Sequence, residues 1–192
     1  MTNSWSQGTP YVVLVLGRPA SGKSTISAKI AEQFSLPNVS KDMLKEILFD
    51  TLGGGDVAWS VKLGRTSFAL LDHVIELQLQ AGGPFLIDAA YSAQYENAKF
   101  QRWQEIYGFE AVQILCTASP EEIGRRFIQR VNDGTRHPGH ADAERVDEFR
   151  AVRDDGRYGQ LELRGTVLHY KTDQVGSEQK LLASLTATLP PQ

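Results

Sequence analysis

One stretch constrains this chain more than any other: an apolar run, Tyr11 to Leu16, that passes directly into Gly17-Arg18-Pro19-Ala20-Ser21-Gly22-Lys23-Ser24-Thr25. Gly17 to Ser24 fits G-x-x-x-x-G-K-[ST], the phosphate-binding loop. Gly17 and Gly22 permit the backbone dihedrals that turn successive N–H groups inward as an anion cradle. Lys23 can reach β- and γ-phosphates as a point charge, and Ser24 carries a hydroxyl suited to Mg²⁺. Ile26, Ile30 and Phe34 follow at helical spacing, so the phosphates would also meet a helix N-terminus. Ala20, Ser21 and Thr25 complete the expected nucleotide contacts.

The rest of the pattern predicts an α/β protein. A strand without polar alternation is covered on both faces, which implies a parallel sheet. Further extended segments are expected at Leu36–Ser40, Phe85–Asp88, Ala111–Cys116 and Thr166–Tyr170. Helices are expected at Lys23–Phe34, Lys41–Asp50, Ala58–Gln80, Tyr95–Tyr107, Ser119–Val131, Ala143–Asp154 and Ser177–Leu189. The Ala58–Gln80 helix is expected to bury Leu63, Leu70, Leu71, Val74, Leu77 and Leu79. Ser119-Pro120-Glu121-Glu122 reads as a helix start, with Ser at the N-cap and Pro at the first position. Alternating strands and helices give a five-stranded parallel sheet with helices on both faces, a three-layer arrangement whose ligand lies at the carboxyl ends of the strands. A chain of 192 residues is expected to form one domain over 1–192, with a lid at about 119–142.

Composition excludes several classes. With a net charge of −3, no overall basic field draws the protein to nucleic acid or an anionic membrane. The polar segment Met1–Pro10 is no signal peptide, and no apolar stretch approaches a membrane span. The lone Cys116 lies in an apolar strand, consistent with a reducing cytoplasm. A cytoplasmic location is expected.

Other residues carry chemistry by position. Asp88 ends an apolar strand as a Walker B acid does and can hold Mg²⁺ opposite Ser24. Ala89 and Ala90 follow where a hydrolytic motor would want a Glu, which favours transfer to an acceptor. Asp42 starts a helix where it would face the γ-phosphate, placed to accept a proton from an acceptor hydroxyl or to complement the helix dipole. Lys45, one turn on, could orient the acceptor or pair with Asp42. Arg126, Arg130 and Arg136 are expected to reach the nucleotide, whereas Arg125 points to the surface. His137-Pro138-Gly139-His140 reads as a rigid turn on the lid rather than a metal site. Tyr91, close after Asp88, is expected to line an acceptor pocket; His73 and His169 are packing or surface residues.

These residues resemble a known group, the small P-loop kinases sometimes filed as AAA-like ATP-binding proteins, with polynucleotide kinase, zeta toxins, chloramphenicol phosphotransferase and gluconate kinase among its relatives. The resemblance covers about Val12 to Arg153. It rests on Gly17–Thr25, Ser40-Lys41-Asp42-Met43-Leu44-Lys45, Leu86-Ile87-Asp88-Ala89, Arg126–Arg130 and Arg136–His140. It implies the P-loop kinase fold with an Arg-containing lid, Mg·ATP as donor, Asp42 as general base, and Lys23 and Arg130 as further catalytic groups. Lys41, Met43 and Lys45 depart from the polynucleotide kinase pattern around Asp42. The reading is therefore a small-molecule hydroxyl kinase with ATP and Mg²⁺. A polynucleotide 5′-hydroxyl kinase and a nucleotide-hydrolysing switch without an acceptor are the alternatives.

Overall fold

The computed structural model describes residues 10–142, 146 and 157–190. Among them the elements are β1 (Tyr11–Leu16), α1 (Lys23–Gln33), β2 (Asn38–Ser40), α2 (Lys41–Leu52), α3 (Val57–Ala81), β3 (Phe85–Asp88), α4 (Ala93–Tyr107), β4 (Glu110–Thr117), α5 (Pro120–Asn132), a 3-10 turn (Pro138–His140), β5 (Gly165–Lys171) and α6 (Ser177–Thr188). The five strands pair in parallel in the order β2-β3-β1-β4-β5. The helix expected at Ala143–Asp154 lies, except for Val146, outside the described residues.

β1 is buried along its whole length because each parity of its side chains has a core of its own. Val12, Leu14 and Leu16 pack with Leu71, Ile75, Ile87, Phe100 and Phe109. Val13 and Val15 pack with Ile26, Ile30, Leu86, Ile114 and Leu185 on the opposite face. A polar residue on either parity would have been buried without a partner, which is why the strand shows no alternation.

Side-chain caps set three helix starts. Ser40 Oγ accepts from the Met43 amide at 3.5 Å, Asp56 Oδ1 from Trp59 at 2.8 Å, and Ser119 Oγ from Glu122 at 3.2 Å. The buried face of α3 differs from the expected one. It runs Ser60, Leu63, Ser67, Leu71, Ile75 and Leu79, whereas Leu70 and Leu77 are exposed. The core admits one stripe of four-residue steps, and Leu70 and Leu77 stand off it.

Two buried glutamines tie the segment before β5 to the core. Gln113, central in β4, donates to the Leu161 carbonyl at 2.9 Å and accepts from the Leu161 amide at 2.7 Å. Gln104 donates to the Arg164 carbonyl and accepts from its amide, both at 2.8 Å. Each amide side chain satisfies backbone groups that would otherwise be buried without partners. Among the described residues no helix is long and apolar enough to cross a membrane.

Candidate active site

Sheet register decides where the polar residues meet. Val15 and Ser40 both lie opposite Asp88, and Leu16 lies opposite Leu115. The loop after β1, the start of α2 and the end of β3 therefore share one sheet edge. They open on a cleft of about 570 Å³ lined by Ala20, Gly22, Lys23, Ser24, Thr25, Lys41, Asp42, Lys45, Phe68, Asp88, Arg126, Arg130, Arg136, His140 and Asp142 among others.

The loop has the backbone its glycines predict. Gly17 has φ 142°, and a Cβ there would stand 2.4 Å from the Cys116 carbonyl oxygen. Gly22 has φ 90° and caps α1 without a side-chain hydrogen bond, so the first amides of that helix are left for another acceptor. Even Ala20 takes a left-handed conformation, φ 63°. Gly17 and Ser21 lie beneath the cradle and do not line the cleft; Ser21 Oγ is fully buried with no hydrogen-bond partner. Lys23 is buried and donates to the Arg18 carbonyl at 2.8 Å. Burial lowers its pKa, against the pull of Asp88. Asp88 is 4% exposed; burial raises its pKa, while Lys23 and a hydrogen bond from Ser24 hold it down. Ser24 and Asp88 offer one hydroxyl and one carboxylate. That donor set suits Mg²⁺, which keeps waters and phosphate oxygens for its remaining positions. Among the described residues no three His, Cys, Asp or Glu side chains gather as a metal cluster.

Across the cleft, Asp42 accepts from Arg136 Nη2 at 2.8 Å and lies 3.3 Å from Lys41 Nζ. Burial pushes its carboxyl up, but Lys41 and Arg136 outweigh that and hold it below the usual carboxylate range. Arg130 and Arg136 converge on Asp142 at 2.7 and 3.3 Å. Arg126 hydrogen-bonds Thr172 Oγ1 at 2.7 Å, which places α5 beside the loop after β5. The His-Pro-Gly-His turn is docked on α2 and α3. His140 Nε2 meets Glu46 at 2.9 Å, His137 Nε2 meets Asp50 at 3.1 Å, and Ser60 Oγ donates to the Gly139 carbonyl at 3.0 Å.

Most residues expected in the site are brought together. Lys45 lines the cleft, and its ammonium donates to Ser60 Oγ at 2.8 Å rather than pairing with Asp42. Tyr91 is a correction. It does not line the cleft and is fully buried in the core against Phe100, with ring centroids 5.1 Å apart. Arg125 is a surface residue paired with Glu122 at 2.7 Å, and His73 and His169 are exposed. Sequence reasoning missed Lys41, Phe68, Asp142 and Thr172. Lys41 and Asp142 flank motifs already in view, so their charge was a usable signal; Phe68 and Thr172 carried none.

The family model of the AAA domain matches residues 12–155. A UMP-CMP kinase from Prunus armeniaca is 31% identical over 131 residues, which is 65% of this chain and 55% of that protein. The chain thus spans about 55% of the length of this curated relative. A solved structure described as a candidate kinase from Chloroflexus aurantiacus is 32% identical and superposes with a TM-score of 0.81, covering 95% of this chain and 100% of the other. The structure of APE1195, at 22% identity and a TM-score of 0.59 over 94% of this chain and 95% of that one, shares the fold.

Proposed function

The chain belongs to this AAA-domain family of P-loop kinases, and from that premise we propose that it transfers the γ-phosphoryl group of Mg·ATP to a hydroxyl of a small molecule, with Asp42 as general base. The observation that carries the reading is a carboxylate in the cleft on the side facing the phosphate loop, near enough to Lys23 and Asp88 for their charges to couple. Asp42 takes the proton of the attacking hydroxyl as that oxygen bonds to the γ-phosphorus. The bond from the γ-phosphorus to the β–γ bridging oxygen breaks, and ADP leaves. Lys23, Arg130 and Arg136 neutralise charge on the phosphate oxygens. A Mg²⁺ held by Ser24 and Asp88 would supply further neutralisation when bound.

In this reading Arg136 has two stations. Arg136 Nη2 meets Asp42 Oδ2 at 2.8 Å, so on this reading Asp42 takes the proton once Arg136 has turned to the phosphates. That exchange ties the base to the presence of the donor and suppresses reaction with water.

The UMP-CMP kinase relative supports a second reading, transfer to a nucleoside monophosphate. A phosphate acceptor is already ionised at neutral pH and needs no base, and Asp42 would repel it; the carboxylate therefore favours a hydroxyl. Polynucleotide acceptors need a basic channel, which a net charge of −3 does not favour. The test is a γ-labelled ATP transfer screen over sugars, nucleosides, hydroxylated antibiotics, UMP, CMP and oligonucleotides. Labelled product from a hydroxyl compound, lost in Asp42→Asn, supports the proposal. Efficient labelling of UMP or CMP that survives Asp42→Asn overturns it.

A further inference from the structure

Four side chains of alternating charge cross the cleft from the lid helix to α2: Arg130, Asp142, Arg136 and Asp42, with contacts of 2.7, 3.3 and 2.8 Å. Asp142 is central to the chain and, at 12% side-chain exposure, the most enclosed of the four. It touches Arg130 Nη2 and Arg136 Nε with one oxygen, Oδ2. Those contacts are ionic rather than aligned hydrogen bonds. Arg130 Nε and Nη2, Arg136 Nε and Asp142 Oδ2 are buried without hydrogen-bond geometry to any partner. Two guanidiniums thus stand side by side at the cleft, gathered by one carboxylate. Left alone, like charges so placed would separate into water. The remaining polar edges of the pair line the cleft, where an incoming ligand can meet them. Oxygens of a polyphosphate have the charge and the acceptor capacity to do so.

We infer that Asp142 is a positioning residue for the nucleotide: it holds Arg130 and Arg136 together as a preformed pair whose cleft-lining guanidinium groups receive phosphate oxygens. The inference rests on the reading of the cleft as a nucleotide site, and it gives a role to an acidic residue that point electrostatics would count as harmful there. The two views differ in sign. If Asp142 were a spectator charge, its neutralisation would tighten the binding of an anion. If it positions the arginines, its neutralisation weakens binding, because the pair must be assembled when the ligand arrives.

The experiment is calorimetric titration of the full chain with Mg²⁺ and a non-hydrolysable ATP analogue, for the wild type, Asp142→Asn and Asp142→Glu. Melting temperatures of the unliganded proteins are recorded alongside. The expected result is that Asp142→Asn binds about tenfold more weakly. Asp142→Glu, which keeps the charge and misplaces it by one methylene, is expected to bind several-fold more weakly. In a double-mutant cycle, Asp142→Asn should add little to the loss caused by Arg130→Gln. Unchanged or tighter binding by Asp142→Asn overturns the inference, as does unchanged binding by Asp142→Glu, the variant that preserves charge and fold. Absence of binding by the wild type itself would instead remove the nucleotide-site reading, so the two failures are told apart.

Discussion

In the proposed reading Asp42 carries the most chemistry of any single residue. The Lys41 and Arg136 cations overcome the effect of its burial, so it is ionised throughout the neutral range. Asp42→Asn should lower transfer by at least about a hundredfold while the affinity for the ATP analogue moves little, which steady-state kinetics and calorimetry separate. A different constraint acts at Gly17. With φ 142° and a carbonyl oxygen 2.4 Å from where a Cβ would stand, Gly17→Ala should shift the loop, lower the melting temperature and abolish analogue binding. The positions of both were legible in the sequence, the turn at Gly17 from motif spacing and Asp42 from its place at a helix start. Tyr91 was not, because sequence distance from Asp88 says nothing about which way the chain turns. Asp142 was in view only as a neighbour of His140, since the way the segment after α5 folds back to set it against Arg130 and Arg136 is not written in local spacing.

At the scale of elements, the Pro138–His140 turn docks on α2 through His137 and His140. His140 is 5% exposed, and burial lowers its pKa to about 3 in surroundings that hold Glu46, Asp42, Arg136, Lys41 and Lys45. A histidine depressed in the folded state leaves the unfolded chain with more bound protons between that value and the ordinary 6.5. Its contribution to stability is therefore complete above pH 6.5 and is lost progressively as pH falls towards 3. The melting temperature should drop between pH 6.5 and 4.5, above the range where carboxylates dominate, and more gently in His140→Gln; scanning calorimetry across that interval checks it. Element boundaries were largely legible. The Ser119 cap and the Gly82 stop of α3 agree with the structure. The buried face of α3 was harder to read, because leucines occur on more than one side of a helix of 25 residues and the tertiary packing against α2, α4 and the sheet decides which stripe is accepted.

For the whole molecule, the reading predicts coupling between ligand and fold. Nucleotide at about a hundred times its dissociation constant should stabilise the native state by about 2.7 kcal/mol. For a chain of this size that is a rise in melting temperature of roughly 5–10 °C. Thermal shift with Mg²⁺ and the ATP analogue measures it, and Lys23→Ala should remove most of the rise, read against the unliganded melting temperature of the same variant. Sheet architecture was legible because strand-helix alternation and an unbroken apolar first strand have few parallel solutions. The strand order was not legible, and it has a consequence for how the chain acquires its shape. β1 is synthesised first yet sits at the centre, paired on one side with β3 and on the other with β4. A nascent chain must therefore carry its most apolar segment unpaired until Phe85–Asp88 and then Glu110–Thr117 have left the ribosome. Such long-range closure is slow, and it leaves Tyr11–Leu16 as the segment most in need of a chaperone during synthesis.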